Sequence, residues 1–221
     1  MNILFVASEV VPFAKTGGLA DVAGALPKAL QRLGHDVRII LPRYRAVDPR
    51  KFGLKNLLER VRVPLESHVV EGSVVEAVMP ATSIPVYFVD CPAFFDRDGL
   101  YQDSGVDFQD NMERFSFFSQ AVLLAIPQMG WQPELVHCHD WQTSLVCSHL
   151  ALTRAANPFW QSVKTVLTVH NLAYQGLFAG SAFPLTHLPP QAFAIEGLEF
   201  YGHVNCLKGG LVYADFLTTV S

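Results

Sequence analysis

Short apolar runs rich in strand-forming residues alternate along this chain with segments of helical hydrophobic period. The apolar runs occupy residues 3–7, 37–41, 85–90, 135–138, 163–169 and 216–220. Apolar residues recur at helical spacing in segments 18–34, 112–129, 141–152 and 205–214. Continuous apolar strands that alternate with helices are typical of a parallel sheet covered on both faces. The sequence therefore predicts an α/β fold, with a mostly parallel sheet and helices on both of its faces.

Three segments depart from this alternation. Residues 60–78 alternate valines with polar residues, which predicts a hairpin or meander insertion. Residues 96–109 form a polar loop that could cover a ligand, and residues 177–198 have no period, which predicts loops with short helical turns. In the first helix, Pro27 removes a backbone donor and predicts a bend or a break. Gly34 predicts a left-handed cap at the end of that helix.

Composition restricts the class of protein. The chain has 221 residues, of which 50% are hydrophobic and 16% charged, so it can bury the core of one compact domain. A net charge of −4 without a basic block disfavours nucleic-acid and anionic-membrane partners, and no apolar run approaches the roughly 20 residues that span a bilayer. The four cysteines have no Cys-x-x-Cys spacing, which indicates reduced thiols. Because a strand follows Met1 directly, leaving no room for a signal peptide, we expect a cytoplasmic protein.

A lysine and two glycines lie between the first predicted strand and the first predicted helix. Gly17 and Gly18 let the backbone approach a ligand closely, and the amides at a helix start carry partial positive charge. Lys15 adds a full charge, so this turn is suited to a phosphate or another anion. An ordinary glycine turn beside a solvated lysine is the alternative that spacing leaves open. The turn has neither the Walker pattern nor the dinucleotide fingerprint.

Polar side chains follow two other predicted strands at the points where these strands end. Asp140 follows residues 135–138 closely, and His170 and Asn171 follow residues 163–169. Because ligands of parallel sheets bind outside the carboxyl ends of the strands, we expect these side chains to converge with the glycine turn. Asp140 could instead cap the following helix, and His170 alone could be a satisfied buried histidine.

Other chemistries have weaker support. His137 and His139 share one face of a regular strand, but no nearby cysteine or carboxylate completes a metal site, so we expect no metal and no other cofactor. Trp141 and the phenylalanines from Phe115 onward are predicted to be core residues because they lie in helical patterns. Neither a Gly-x-Ser-x-Gly elbow, a Cys/His nucleophile nor a clear carboxylate pair points to a hydrolase.

Several longer motifs occur in order along the chain. They are Ser8-Glu9, the run 15–22, the run 24–27, Phe95-Asp96-Arg97, Asp110-Asn111, the run 137–142, the run 168–176, Leu207-Lys208 and Tyr213-Ala214-Asp215. On these motifs the chain resembles the amino-terminal segment of bacterial glycogen synthases and plant starch synthases. That family extends α-1,4-glucans from ADP-glucose, and the resemblance extends across the chain.

The resemblance implies an architecture and a reaction. The chain would be the amino-terminal, Rossmann-like half of a two-domain GT-B glycosyltransferase, spanning residues 1–221, with the active site in the cleft between the halves. The reaction would be retaining transfer of glucose from ADP-glucose to the non-reducing end of an α-1,4-glucan such as glycogen or starch. Because the carboxy-terminal nucleotide-binding domain is absent from these residues, the chain alone would be inactive.

The resemblance also implies the residues that hold the two substrates. Lys15 and the amides of Gly17 and Gly18 would lie by the donor phosphates or the incoming acceptor. Tyr101 corresponds to a tyrosine near the donor. Glu9 would lie near the acceptor.

The same resemblance implies the residues around the transferred glucose. His170 would contact this glucose and help to stabilise the transition state. Asp21, Asp140 and Asn171 would hydrogen-bond or orient the glucose and its surroundings, and His170 and Asp140 would be the catalytic residues. Two other interpretations stay open: a glucan-binding or regulatory module without catalysis, and a related glycosyltransferase that uses UDP-glucose.

Overall fold

The computed structural model describes residues 1–220. The strands, in chain order, are β1 Asn2–Val6, β2 Asp36–Pro42, β3 Lys55–Leu65, β4 His68–Val78, β5 Pro85–Asp90, β6 Gln102–Asp103, β7 Val106–Asp107, β8 Leu135–His139, β9 Lys164–Val169, β10 Leu177–Ala179, β11 Glu199–Phe200, β12 His203–Asn205 and β13 Phe216–Thr219. The α-helices are α1 Gly18–Arg32, α2 Pro49–Phe52, α3 Pro92–Phe95, α4 Asn111–Ala125, α5 Trp141–Thr153 and α6 Cys206–Tyr213. Each apolar run predicted as a strand forms one, within a few residues at its ends.

An eight-stranded sheet organises the chain, with the strand order β13-β9-β8-β1-β2-β5-β4-β3. The strands from β13 to β5 pair in parallel, whereas β4 pairs antiparallel with both β5 and β3. The mostly parallel sheet is therefore confirmed. The insertion predicted at residues 60–78 is the β3–β4 hairpin, which begins earlier, at Lys55.

Both faces of this sheet are buried under helices. Ile3 and Phe5 of β1 pack in one apolar cluster with residues of α1, whereas Leu4 and Val6 pack in another with residues of α4 and α5. Successive side chains of a strand point to opposite faces, so a strand covered on both sides reads as an unbroken apolar run. This arrangement explains why β1 shows no polar alternation in the sequence.

The first helix runs through its proline. Pro27 lies inside α1 and is buried, and the helix continues to Arg32, so the break that the sequence allowed is absent. Gly34 has φ 88°, the left-handed conformation expected after the helix end. A Cβ on Gly24 would lie 2.9 Å from the carbonyl oxygen of Val11, so this glycine lets α1 approach the segment after β1 closely.

The segment 177–198 contains both expected and unexpected structure. Its predicted helical turns are the 3₁₀ helices Gly180–Thr186 and Pro190–Ala192. A small sheet of order β10-β12-β11 was not predicted, because strands of two or three residues have no readable period. The four cysteines are buried and unpaired. No helix within residues 1–220 combines the length and the apolar character needed to traverse a membrane.

Candidate functional site

A cavity of about 900 Å³ opens at the carboxyl edge of the parallel strands. Its walls come from the turn between β1 and α1, the junction of β8 and α5, the loop after β9 and the loop 99–107. Open α/β sheets bind their ligands at this edge. The volume lies in the range of small-molecule sites in proteins, so the cavity is the candidate functional site.

Asp140 joins two of these walls. It lies between β8 and α5, and its carboxylate Oδ1 accepts hydrogen bonds from the backbone amides of His170 at 2.7 Å and Asn171 at 3.4 Å. Asp140 occupies the N-cap position of α5, as the capping interpretation expected, but its carboxylate makes no capping hydrogen bond to that helix. Burial raises the pKa of the Asp140 carboxyl group above its ordinary value, while the His170 amide acts in the opposite direction. The predicted convergence of Asp140, His170 and Asn171 is present.

Glu9 ties the glycine turn to the opposite loop. Its buried carboxylate accepts hydrogen bonds from the backbone amides of Thr16 and Gly17 and, at 2.6 Å, from the Thr16 hydroxyl. The Tyr101 hydroxyl donates to the same carboxylate at 2.8 Å and lies 2.7 Å from the hydroxyl of Ser8. Burial raises the pKa of Tyr101 well above its usual value, so this hydroxyl remains a donor. Glu9 thus fixes two walls of the cavity at once.

The glycines of this turn face open space. A Cβ on Gly17 or Gly18 would meet nothing within 4 Å, and neither residue has a positive φ. The fold itself therefore does not require glycine at these positions. Gly17 provides no side-chain cap for α1, which leaves amides at the helix start available to a ligand. The open space in front of them fits the close approach of an anion that the sequence predicted.

Lys15 and Asp21 lie beside the cavity and do not line it. The Lys15 ammonium donates to both oxygens of Asp21, at 2.7 and 2.8 Å. Their side chains are 52% and 58% exposed, so this ion pair contributes little to stability. The lysine can exchange this partner for a ligand at small cost.

Three histidine rings lie next to one another at the cavity wall, where His170 lines the cavity and His137 and His139 lie behind it. The rings of His137 and His139 are 4.3 Å apart, and His139 Nδ1 lies 3.0 Å from His170 Nε2. His137 Nε2 lies 2.7 Å from the hydroxyl of Thr168. Burial lowers the pKa of all three histidines, that of His137 to about 4, so all three are neutral at pH 7. Among residues 1–220, no group of three or more potential ligands could hold a metal ion.

We expect His137 to make stability depend on pH. Its pKa is about 4 in the folded protein and about 6.5 when unfolded. The unfolded chain then binds more protons below pH 6.5, so the free energy of unfolding falls as pH drops toward 4. Between pH 7 and pH 5 this fall amounts to about 2 kcal/mol for His137. Urea unfolding at both pH values should show a smaller fall in His137→Gln, which keeps a polar nitrogen near Thr168. An unchanged pH dependence would contradict the assignment.

The structure brings most of the predicted site residues together. The cavity is lined by Glu9, Gly17, Gly18, Tyr101, Asp140, His170 and Asn171, among others. Sequence reasoning missed Trp141, which was predicted to be core. Its ring is largely buried but also lines the cavity, and it lies so close to Gly176 that a Cβ there would be 2.4 Å from the ring. Tyr174 also lines the cavity while remaining 67% exposed.

Known proteins are similar to this chain along its whole length. Residues 2–221 match the family model described as the starch synthase catalytic domain. The chain is 50% identical over its whole length to a glycogen synthase of Syntrophotalea carbinolica and 46% identical to glycogen synthase 2 of Geobacter sulfurreducens. It spans 45% of the length of each of these relatives.

A solved structure extends this comparison to the fold. The catalytic domain of starch synthase IV from Arabidopsis thaliana, bound to ADP and acarbose, is similar to this chain with a TM-score of 0.88 and 32% sequence identity. The similarity covers 99% of this chain and 44% of that one.

Proposed function

Because this chain belongs to the starch synthase catalytic domain family, we propose that the protein containing it is a glycogen or starch synthase. It transfers glucose from ADP-glucose to the non-reducing end of an α-1,4-glucan, with retention of anomeric configuration. The observation that carries this proposal is the composition of one cavity. An open glycine turn at a helix start faces sugar-sized space bordered by Asp140, His170 and Asn171.

The donors at the start of α1 and the carboxylate of Asp140 match the two charges that develop during glycosyl transfer. When the bond between glucose and diphosphate breaks, negative charge grows on the diphosphate and positive charge on the sugar ring. The amides at the start of α1, with Lys15 close by, stabilise the anion. The carboxylate of Asp140 stabilises the developing cation. Fixed dipoles and charges of this kind are usually the largest catalytic contribution, so the site needs no strong nucleophile.

Aromatic side chains complete the proposed sugar-binding part of the cavity. Trp141 and Tyr174 both line the cavity and present apolar ring faces beside its polar groups. Sugar rings have apolar C–H faces and polar edges, so such a mixed wall binds them through both. His170 and Asn171 then hold the hydroxyl groups of the transferred glucose.

We also propose that the remainder of the relatives' length supplies the second wall of the donor site. The chain spans 45% of the length of these relatives, and the cavity is not enclosed by residues 1–220. Under this proposal residues 1–221 alone are inactive, because the part of the donor site that holds adenosine and part of the diphosphate lies on the second wall. Glucose transfer by a protein consisting of these residues alone would contradict this part of the proposal.

Lys15→Met in the native protein that contains this chain provides a test of the donor site. A charged hydrogen bond to phosphate contributes about 1.5–3 kcal/mol, so kcat/KM for ADP-glucose should fall roughly 10- to 100-fold. Stability should change by less than about 1 kcal/mol, because the ion pair with Asp21 is exposed. Lys55→Met, which removes an exposed lysine outside the cavity, is the matched control and should leave both quantities unchanged.

The same assay separates the alternatives. Incorporation of glucose into glycogen is measured with ADP-glucose and, in parallel, with UDP-glucose. Preference for UDP-glucose would favour the related glycosyltransferase. Glucan binding without transfer by the native protein, unchanged in a variant carrying both Lys15→Ala and His170→Ala, would favour the binding module.

A further inference from the structure

His139 lies directly behind the wall of the cavity without touching the cavity itself. Its side chain is fully buried and is not among the residues that line the cavity, whereas His170 is. The two rings meet through His139 Nδ1 and His170 Nε2, which are 3.0 Å apart. A hydrogen bond at this distance couples a buried ring to a ring that faces the ligand.

The surroundings of His139 keep its ring neutral. Phe5 stacks on one side, with ring centroids 4.1 Å apart, and the His137 ring lies at 4.3 Å. The remaining nitrogen, His139 Nε2, is buried and has no hydrogen-bond partner within residues 1–220. An imidazolium here would place a charge and an unpaired N–H in a buried site beside the rings of Phe5 and His137. Its cost is large, so the bond to His170 joins two neutral rings.

Two neutral imidazoles can share this bond in two ways. In the first, His139 Nδ1–H donates to His170 Nε2, and His139 Nε2 is a bare acceptor. In the second, His170 Nε2–H donates to His139 Nδ1, and a buried N–H is left unpaired on His139. Buried N–H groups without partners are rarer in proteins than unpaired acceptors. The first arrangement is therefore the favoured one.

That choice decides which nitrogen of His170 carries the proton. With Nε2 acting as the acceptor, a neutral His170 must hold its proton on Nδ1. His170 Nδ1 makes no hydrogen bond within residues 1–220 and is not among their buried unpaired atoms, so it is accessible from the cavity. The ligand then meets an N–H donor at this position.

We propose that His139 is a positioning residue that holds His170 in its Nδ1–H tautomer and so presents a neutral N–H donor to the cavity. This inference rests on the proposed function for its ligand, a hydroxyl oxygen of the transferred glucose. Without His139, the ring of His170 can reverse its tautomer and face the sugar with a lone pair, which only a hydroxyl proton can satisfy. Phe5 supports the arrangement by holding the His139 ring in its plane.

Nitrogen-15 NMR of the native protein, labelled at histidine, measures the tautomer directly. The His170 signals are assigned by their loss in His170→Gln. We expect a protonated, pyrrole-type signal for Nδ1 and an unprotonated, pyridine-type signal for Nε2. The reverse pattern, or two protonated nitrogens, would overturn the proposal. This result does not depend on glucose transfer, so an inactive native protein would refute the proposed function and leave the tautomer to be decided.

Two variants of His139 separate hydrogen bonding from packing. His139→Phe keeps an aromatic ring packed against Phe5 and His137 but removes the donor, whereas His139→Asn loses the ring but places an amide N–H near the position of Nδ1. Partners that orient metal-bound histidines are typically worth 10- to 100-fold in activity, and we expect a fall of the same order in kcat for His139→Phe. His139→Asn should keep more activity despite lower thermal stability. If the role of His139 were purely structural, His139→Phe would keep more activity than His139→Asn. That order of activities would overturn the proposal even if the NMR signals show the expected tautomer.

Discussion

Replacing Asp140 by alanine is expected to lower the rate of glucose transfer by about a thousandfold, the upper end of what one preorganised polar group contributes. The carboxylate holds the amides of His170 and Asn171 and so fixes the end of β9 against the end of β8. Its loss removes a negative charge near the sugar and frees both side chains from their positions. The rate is measured as incorporation of glucose into glycogen by the native protein.

The backbone of Asp140 provides a matched control. With φ 56° and ψ −174°, it occupies a region that is essentially restricted to glycine and costs other residues about 1–3 kcal/mol. Asp140→Gly therefore removes the same carboxylate as alanine but relieves this strain. We expect the glycine variant to be more stable to urea than the alanine variant by about 1 kcal/mol, because added chain entropy offsets part of the relief. Both should be equally inactive.

Activity within tenfold of the native protein in either variant would contradict the role of the carboxylate. Asp140→Asn separates charge from hydrogen bonding, since its amide oxygen can still accept from His170. We expect it to retain more activity than alanine and less than aspartate.

Replacing Arg114 by methionine is expected to lower the free energy of unfolding by about 3–5 kcal/mol, through three buried acceptors that lose their donor. The guanidinium is fully buried and donates to the carbonyl oxygens of Phe94 at 2.7 Å and Leu100 at 3.0 Å, and to Asn111 Oδ1 at 2.6 Å. The nearby carboxylate of Asp110 acts on Arg114 electrostatically but forms its salt bridge with Arg97. Burial lowers the pKa of Arg114 from its ordinary value.

Aromatic rings take the place of a counterion around this cation. The guanidinium carbon lies 4.9 Å from the ring centroid of Phe108, 5.3 Å from that of Phe95 and 5.4 Å from that of Phe115. Such contacts are strongest where water is excluded. Methionine fills part of the volume but offers the rings no charge.

The effect of Arg114 should reach the cavity through one neighbour. Asn111 accepts from Arg114 and donates through Nδ2 to the carbonyl oxygen of Tyr101 at 2.8 Å. Arg114→Lys keeps the charge but cannot make three bonds in fixed directions, so we expect an intermediate loss of stability. Arg45→Met is the control, because that side chain is half exposed and pairs with Asp96 on the surface. Equal losses in the free energy of unfolding for Arg114→Met and Arg45→Met, measured by urea unfolding, would contradict this account.

Much of the fold and part of the site could be predicted because they depend on local pattern. Apolar runs and helical periods identified the strands of the parallel sheet, and the rule that ligands bind at strand ends placed Asp140 and His170 together. The open space at Gly17 follows from the same reasoning.

Features that depend on tertiary contacts could not be predicted in this way. Arg114 lies in a helical pattern that gives no sign that a charge is buried among phenylalanines. Trp141 belongs to both core and cavity, because its side chain is largely buried and also lines the cavity. The strands β10 and β12 are too short to show alternation and form through pairing with distant residues.

The carboxylate of Glu9, already bonded to the amides of Thr16 and Gly17, makes the glycine turn selective among anions. Glu9 already satisfies part of the donors of this turn, and its negative charge lies next to them. Free phosphate therefore gains little binding free energy at the turn. A larger ligand that also contacts Asp140, His170 and Asn171 gains enough binding free energy to remain bound. Under the proposed function, we expect this resident carboxylate to disfavour free phosphate at the turn relative to the complete substrate.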